Sequence, residues 1–99
     1  MATRKQGLAS RLDSVFHALS DSTRRSILRS VAKRERTVNE IAKPYPISLA
    51  AVSKHLKVLE RAGLVHREKR GSFQYVRTNA GPMQEANQWL AHFEELRNA

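Results

Sequence analysis

The sequence predicts a mostly α-helical domain with one small β-hairpin. Apolar residues recur every three or four positions in five stretches, which is the spacing of one helix face. Residues 64–78 are strand-like instead and have Gly71 near their middle, as a hairpin does. A chain of 99 residues has room for one domain with one core. We expect this domain to span residues 8–97 and residues 1–7 to form a flexible N-terminus.

Two helices are predicted in the first third of the chain. The first begins near Ser10, and its apolar stripe is Leu8, Leu12, Val15, Phe16 and Leu19. Ser20 or Asp21 can cap the second helix. Its inner face is Ile27, Leu28 and Val31. The outer face carries four cations, which either form a solvated surface or bind an anion: Arg24, Arg25, Arg29 and Lys33.

Thr37 and Glu40 have the spacing of a capping box, in which each side chain accepts a hydrogen bond from the other residue's backbone N–H. This spacing predicts a short third helix, whose buried residues are Val38, Ile41 and Ala42. Pro44 and Pro46 cannot continue a helix, so residues 43–47 are expected to form a turn.

A fourth helix is predicted over about residues 48–62, with Ser48 as its N-cap and Gly63 at its end. Its inner face is Leu49, Val52, Leu56 and Leu59. Its outer face has small and basic side chains: Ala50, Ala51, Ser53, Lys54, Lys57 and Arg61. Such a face suits the major groove of DNA, which admits an α-helix. Helix, turn and helix is also the unit whose second helix enters DNA.

The predicted hairpin has strands at residues 64–69 and 73–78, joined by a tight turn at residues 70–72. Its outward polar side chains are Arg67, Lys69, Arg70 and Gln74. A basic hairpin directly after the second helix of such a unit is called a wing. These side chains are placed to reach phosphates or the minor groove.

Pro82 suits the first turn of a last helix, over about residues 82–97. Its wide apolar stripe is Met83, Ala86, Trp89, Leu90, Phe93 and Leu96. A 99-residue monomer has little left to cover this stripe, so a partner chain is the economical cover. The first helix is expected to join the same interface. The alternative is that the stripe packs back on its own domain.

The charge balance indicates a polyanionic partner, with nucleic acid first and an anionic membrane surface second. Lysine and arginine number 18 against 9 acidic residues, a net charge of +9. Residues 80–99 hold one arginine and three glutamates, net −2, so residues 1–79 carry +11. A basic body and an apolar last helix thus separate anion binding from protein binding.

Several classes of protein are excluded or disfavoured by composition. The chain has no cysteine, which excludes disulfides, thiolate metal sites and a cysteine nucleophile. No apolar run approaches the roughly 20 residues of a membrane span, and no signal peptide is visible, so a cytoplasmic protein is expected. No glycine-rich phosphate loop or recognisable Ser-His-acid arrangement supports an enzyme, and 99 residues leave little room for a substrate pocket.

Three segments in order resemble the ArsR/SmtB family of bacterial transcriptional repressors. They are residues 16–28 (FHALSDSTRRSIL), 53–59 (SKHLKVL) and 62–65 (AGLV). The hairpin fits as well through Arg70-Gly71 and Tyr75. The resemblance runs from about Leu12 to Leu96. It implies a winged helix-turn-helix of four helices, a hairpin and a last helix.

The resemblance further implies a homodimeric repressor, whose two recognition helices enter successive major grooves of an inverted-repeat operator in double-stranded DNA. The DNA-facing residues would be Ser48, Ala50, Ala51, Ser53, Lys54, Lys57, Arg67, Lys69, Arg70 and Gln74. The dimer interface, formed by the first and last helices, would contain Leu12, Phe16, Met83, Ala86, Trp89, Leu90, Phe93 and Leu96.

The recognition helix begins differently here from many members of the family, which carry Gln or other polar residues at its start. Leu49-Ala50-Ala51 offers no side-chain hydrogen bonds. Ala50 or Ala51 could touch a thymine methyl group. We therefore expect shape readout and phosphate contacts to carry much of the affinity.

Many members of the family release DNA when a metal ion binds. His92 and Glu95 resemble half of the family's zinc site on the last helix, but the other half, an Asp-x-His about a dozen residues earlier, is replaced by residues 79–81 (NAG). The chain is more similar to metal-independent members, so we expect no metal and no cofactor, and the sequence indicates no effector. His55 is expected to pack near the core.

One alternative function stays open at this point. A non-specific architectural protein that binds nucleic acid would carry the same positive charge. The turn at residues 43–47 and the outward Ser and Lys side chains favour double-stranded DNA, because sequence-specific RNA modules usually expose aromatic platforms. The preferred prediction is a cytoplasmic DNA-binding regulator that is associated with the nucleoid when bound, with no membrane partner.

Overall fold

The computed structural model describes the backbone of residues 4–98 and the side chains of residues 7–97. Within that range the elements in chain order are α1 (Arg4–Leu19), α2 (Ser22–Lys33), β1 (Arg36–Thr37), α3 (Val38–Ala42), α4 (Leu49–Arg61), β2 (Val65–Arg70), β3 (Phe73–Thr78) and α5 (Gly81–Asn98). The prediction of a mostly helical domain with a small hairpin is confirmed.

The first helix is longer than the sequence predicts. It begins at Arg4 rather than near Ser10, so much of the segment expected to be flexible is helical. Residues 4–9 contain no proline and only one glycine, Gly7, so nothing in their backbone preferences stops the helix from extending. Residues 1–3, the rest of the predicted flexible terminus, lie outside the described residues.

Two arginines of α2 close the end of α1. The Arg24 guanidinium donates to the carbonyls of Ala18 (Nε, 2.8 Å) and His17 (Nη2, 3.0 Å). Arg25 Nη1 donates to the Leu19 carbonyl across 2.7 Å. The last carbonyls of a helix have no partner inside it, so these contacts satisfy groups that would otherwise need water. The outer-face cations Arg24 and Arg25 are therefore structural.

The caps predicted from the sequence are present. The Asp21 carboxylate accepts from the Arg24 backbone N–H at 3.0 Å, and this bond holds the pKa of Asp21 below its ordinary value. At α3, Glu40 N–H donates to Thr37 Oγ1 and Thr37 N–H donates to Glu40 Oε1, which completes the capping box. Tyr45 then ties the turn after α3 to α2, because its hydroxyl donates to Ser26 Oγ across 2.7 Å.

Gly63 ends α4 as predicted. Its φ is +73°, a conformation that costs a side-chain-bearing residue energy. Leu64 N–H donates to the Leu59 carbonyl and Gly63 N–H to the Glu60 carbonyl, the paired bonds of a Schellman motif. A Cβ at Gly63 would lie 3.2 Å from Cγ of Pro82, so the turn also packs closely against the start of α5.

The sheet has one strand more than predicted. Its order is β1-β3-β2, and both pairings are antiparallel. The added strand, β1, is only Arg36–Thr37, paired with Val76 and Tyr75 of β3. The hairpin turn is also shorter than expected, because Arg70 pairs with Phe73 and leaves only Gly71 and Ser72 between the strands. Gly71 has φ +61°, as the first position of a type II′ turn requires.

One core joins the helices to the base of the hairpin. Its buried apolar residues are Val15, Ala18, Ile27, Leu28, Val31, Ile41, Val52, Leu56, Leu59, Ala62, Leu64, Val65, Val76 and Ala86. Ala86, which the sequence analysis places in the dimer interface, belongs to this core instead, so that prediction is wrong. Ala86 is 2% exposed in the core, because it lies on the side of α5 that faces α1 and α2.

Candidate nucleic-acid interface

The start of α4 presents the small and basic face that the sequence predicts. Ser48 caps the helix, and its Oγ accepts from the Ala51 backbone N–H across 3.1 Å. Its hydroxyl hydrogen is left to donate outward. Ala50 is exposed, and Ala51 and Ser53 are half-buried. Base contacts by helix-turn-helix proteins come mainly from this first part of the recognition helix.

Lys54 and Lys57 extend the positive face along α4. Both are exposed, and neither forms an ion pair with any of the residues that the structure describes. An unpaired lysine ammonium is a mobile point charge that suits contact with phosphate oxygens. This face of α4 can therefore bind a polyanion without first breaking an internal contact.

The sequence predicts that Leu49 lies on the inner face of the fourth helix, but the structure places it outside the core. It is 53% exposed, whereas Val52, Leu56 and Leu59 are fully buried. At 100° per residue Leu49 lies at the edge of the inner face, about 40° from Ser53 on the outer face. Spacing alone includes it in the apolar stripe, but the core ends one turn below it.

A groove of about 380 Å³ separates the start of α4 from the wing, β2 and β3 with their turn. Its walls are Leu49, Ala50 and Ser53 on the helix, and Arg67, Ser72, Phe73 and Gln74 on the wing. The start of α3 closes one end with Thr37, Val38 and Asn39. Phe73 is 53% exposed here. The alternation of β3 places Phe73 and Tyr75 on the face opposite Val76, so the sequence carried a signal for this exposed ring.

Arg67 is held inside this groove, and the prediction that it is an exposed cation is wrong. Its side chain is 15% exposed. Nη2 donates to Glu60 Oε1 at 3.2 Å, and Nη1 donates to Gln74 Oε1 at 3.3 Å. Gln74 is thereby engaged as well, through its carbonyl oxygen. Glu60 lies on α4, so this set of contacts fixes the distance between the recognition helix and the wing.

Arg70 is also engaged, near the tip of the wing. Its Nη2 donates to Glu35 Oε2 at 2.6 Å and to Glu68 Oε2 at 3.3 Å. The guanidinium carbon lies 4.4 Å from the centre of the Tyr75 ring, a cation–π distance. The hydrogen bond from Arg70 lowers the pKa of Glu35, and the same bond raises the pKa of Arg70. Sequence reasoning missed both acidic partners: Glu35 is 35 positions from Arg70, and Glu60 lies on α4, in a different element from Arg67.

Among the wing cations predicted to contact DNA, Lys69 is the one without an ion pair to the described residues. It is exposed, and within the described residues it has no carboxylate partner. Of the cations predicted to face DNA, Lys54, Lys57 and Lys69 are therefore exposed and unpaired among the described residues, whereas Arg67 and Arg70 form ion pairs with Glu60, Glu35 and Glu68.

His55 lies between α4 and the start of α2. Its Nδ1 is 3.4 Å from Arg24 Nη1 and 3.9 Å from Asp21 Oδ2. The side chain is 24% exposed. These contacts link α4 to the cap of α2, which agrees with the packing role expected from the sequence.

A second surface lies on α1 and α5. Of the eight large apolar side chains exposed among the described residues, five belong to these helices: Leu8, Trp89, Leu90, Phe93 and Leu96. The other three are Ile47, Leu49 and Phe73. Trp89 lies between two rings, with centroids 5.6 Å from Phe16 in an edge-to-face arrangement and 4.7 Å from Phe93 with the planes tilted by 58°. Leu12, Phe16 and Met83, also predicted for the dimer interface, are half-buried against the chain's own core.

His92 and Glu95, which resemble half of a zinc site, do not form a metal site with other described residues. His92 and Glu95 are exposed on α5, and His92 contacts Phe93 with ring centroids 6.0 Å apart. Among the described residues, no group of three or more His, Asp or Glu side chains is close enough to hold a metal ion.

In residues 4–98, no helix combines the length and hydropathy that a membrane span needs.

These features define a DNA-binding protein of the winged helix-turn-helix class. Residues 19–68 match a family model described as a helix-turn-helix domain. A crystal structure of an ArsR family transcriptional regulator superimposes with a TM-score of 0.86 at 31% identity, covering 100% of this chain and 98% of that one. This chain belongs to the ArsR family of transcriptional regulators, and its function is DNA-binding regulation of transcription.

Two transcriptional repressors and a second solved structure are also similar to this chain. The transcriptional repressor SdpR of Bacillus subtilis (strain 168) is 33% identical over 82 residues, which cover 83% of this chain and 91% of that protein. The arsenical resistance operon repressor of the same organism is 29% identical over 80 residues, 80% of this chain and 76% of that protein. A solution structure from Mycobacterium bovis, a homodimeric winged helix-turn-helix DNA-binding domain, has a TM-score of 0.73 at 30% identity and covers 100% of this chain and 94% of that one.

Proposed function

We propose that this chain is a homodimeric repressor that binds an inverted-repeat operator through α4 and the wing. The observation that carries the proposal is the separation of two surfaces: the apolar side chains of α1 and α5, and the exposed lysines Lys54, Lys57 and Lys69. The first surface would bind a second copy of the chain, and the second would bind DNA.

Dimerisation is supported by the apolar surface itself. Trp89, Phe93 and Leu96 are about half exposed on α5, and water contact with such side chains is unfavourable. A cavity of about 420 Å³ opens along the preceding turns of α5, with Phe16, Met83 and Leu90 in its lining. Packing against a symmetric copy would cover both features. The homodimeric relative from Mycobacterium bovis shows that the fold is compatible with this assembly.

Operator symmetry follows from dimer symmetry. Two recognition helices related by a two-fold axis read two half-sites of opposite orientation, about one helical turn of DNA apart. Base readout by direct hydrogen bonds would come from Ser48, Ser53 and Lys54, and Ala50 would supply apolar contact. Lys57 and Lys69 would bind phosphates. Repression, rather than activation, is inferred from the relatives that are named repressors.

A regulator of this kind acts at the nucleoid, in the cytoplasm. Its partners would be its own second copy and double-stranded DNA. Sequence-specific binding is supported by the start of α4, where Ala50 and Lys54 are exposed and the side chains of Ser53 and Lys54 form no hydrogen bond with the described residues. A non-specific architectural protein would need only the positive charge.

The test of the proposed function is selection of bound fragments from a randomised DNA library by the full chain, followed by binding titrations. The proposal expects a palindromic sequence bound with a stoichiometry of two chains per site. Enrichment of no sequence, with uniform affinity for all duplexes, would instead support the architectural alternative.

Lys57→Ala sharpens this test, because Lys57 is exposed and is one of the lysines proposed to bind phosphates. Two lysines are removed per dimer, so the slope of log affinity against log salt should fall by about 2 in magnitude. Arg61→Ala is the matched control, since Arg61 is exposed on the same helix at the opposite end, beside Ser14 and His17 of α1. Equal loss from both variants would contradict the assignment of the DNA-facing end of α4. Sedimentation should show the same dimer for all three proteins.

A further inference from the structure

Leu49 has an exposure that packing inside the chain does not explain. It is the first residue of α4, and it is 53% exposed. A leucine placed in water at the start of a recognition helix gains little from folding. Ser48, its neighbour, and Ser53, one turn later, lie on the DNA-facing side.

Leu49 does not stand alone on this surface. Phe73, also 53% exposed, lines the same groove between α4 and the wing. Ala50 lies beside Leu49 on the helix and is exposed too. The large exposed apolar side chains outside α1 and α5, within the described residues, are all found near this end of α4 or on the wing, and they are Ile47, Leu49 and Phe73.

We propose that Leu49 determines specificity by contacting the C5-methyl group of a thymine in each operator half-site. The inference rests on the proposed function, in which the start of α4 enters the major groove. The thymine methyl is the one apolar group that a base pair presents there, and apolar side chains recognise it. Cytosine at the same position presents an N4 amino donor, which a leucine would strip of water without a replacement bond.

Leucine reaches farther than its neighbours on the helix. The side chain of Ala50 ends at Cβ, whereas the two methyl groups of Leu49 lie two bonds beyond its Cβ. Ser48, the nearest polar side chain, already uses its oxygen to accept from Ala51 N–H. The first turn of α4 therefore presents a methyl-contacting surface with a single hydroxyl donor beside it.

The experiment removes one methyl group at a time from the DNA. A selected operator duplex is made with thymine replaced by uracil at one symmetric pair of positions, and affinities are measured for the wild-type chain, Leu49→Ala and Ile47→Ala. Uracil keeps every hydrogen-bonding group of thymine. One buried methyl group corresponds to about a fourfold change in affinity, on the scale of one buried CH₂, so the two methyl groups removed per operator correspond to about 15-fold. Wild type should lose at least that factor at one pair of positions.

The two variants distinguish a methyl contact made by Leu49 from one made by a neighbouring residue. In Leu49→Ala the ratio of thymine to uracil affinity at that position should fall to near one. Ile47→Ala is the matched control, because Ile47 is 40% exposed just before the helix, outside the groove lining, and its ratio should equal that of wild type. Circular dichroism melting confirms that each variant is folded.

Two results would overturn the inference and leave the proposed function standing. One is specific binding with a ratio near one at every thymine for the wild type. The other is a full ratio retained by Leu49→Ala, which would assign the methyl contact to Ala50. A wild-type chain that binds no duplex specifically would overturn both the proposed function and the role of Leu49.

Discussion

Arg70 at the tip of the wing donates a hydrogen bond to Glu35, 2.6 Å away in the segment between α2 and β1. The wing is thereby tied to the helical body by a cation that the sequence assigns to DNA. A phosphate approaching this arginine has to compete with the Glu35 carboxylate. If the wing binds DNA, we therefore expect this contact to lower its affinity while it fixes the position of the wing.

Glu35→Gln should strengthen DNA binding. The amide can still accept a hydrogen bond, but it no longer neutralises Arg70, so the guanidinium becomes more available to phosphate. Exposed ion pairs are weak, so the gain in affinity should be about two- to fivefold at low salt. Titrations at several salt concentrations measure it, and the salt dependence should become steeper.

The control for that variant is Glu95→Gln, which removes one negative charge from the exposed face of α5. It matches the change in net charge without touching the wing. If both variants gain equally, net charge alone accounts for the effect, and the competition between Glu35 and phosphate is refuted.

Arg24 supports a second prediction, on stability. Arg24→Ala removes the donors to the carbonyls of His17 and Ala18 at the end of α1. Hydrogen bonds from charged donors contribute about 1.5–3 kcal/mol each, and water can replace part of this at a half-exposed site. We expect the free energy of unfolding in urea to fall by about 2 kcal/mol.

Arg29→Ala is the matched control, because Arg29 is an exposed arginine of the same helix with no hydrogen-bond partner among the described side chains. Its effect should stay within about 0.5 kcal/mol, as for other surface substitutions. A similar loss from Arg29→Ala would show that α2 needs arginine for charge and not for capping α1.

The pKa of Glu40 supports a prediction on acid stability. The Thr37 backbone N–H and then Arg34 stabilise its charged form and lower the pKa of Glu40 from 4.5 to about 2. The stabilising contribution is complete above pH 4.5. It is lost as the pH falls from 4.5 towards 2, because the unfolded chain takes up a proton there before the native state does.

Glu40→Gln should flatten the pH dependence of unfolding between pH 2 and 4.5. Glutamine is accepted at this position of a capping box, so the helix start is kept while the titrating group is removed. Urea unfolding at stepped pH values gives the profile, with Glu95→Gln as the charge-matched control. Parallel profiles for wild type and Glu40→Gln would contradict the role assigned to Glu40.

Local signals account for the parts of the fold that sequence reasoning predicts. Asp21, Thr37 with Glu40, Ser48 and Gly63 each bind backbone groups within about four residues, so their types and spacing suffice. The strand β1 has no such signal. It is two residues long and exists through its pairing with β3, which is almost forty positions away.

In the candidate nucleic-acid interface, too, local patterns predict some features and contacts between separate elements determine others. The exposed lysines of α4 follow from helical spacing, but Arg67 and Arg70 are engaged by Glu60 and Glu35, which only the folded chain brings to them. The exposure of Leu49 is another feature that helical spacing does not predict. Its spacing fits the apolar face, and only the extent of the core, set by residues from other helices, leaves it in water.

The aromatic cluster of Phe16, Trp89 and Phe93 supports the last prediction, on assembly. Trp89 contacts Phe93 on its own helix and Phe16 on α1, yet it stays 46% exposed, and Phe93 stays 50% exposed. If a second chain covers these rings, Trp89→Ala with Phe93→Ala should shift sedimentation from dimer to monomer at micromolar concentration. Operator affinity should then drop by more than tenfold, because the two half-sites would be bound independently. Gln88→Ala, exposed on the same helix, should remain dimeric. A double variant that sediments as a full dimer would remove these two rings from the interface.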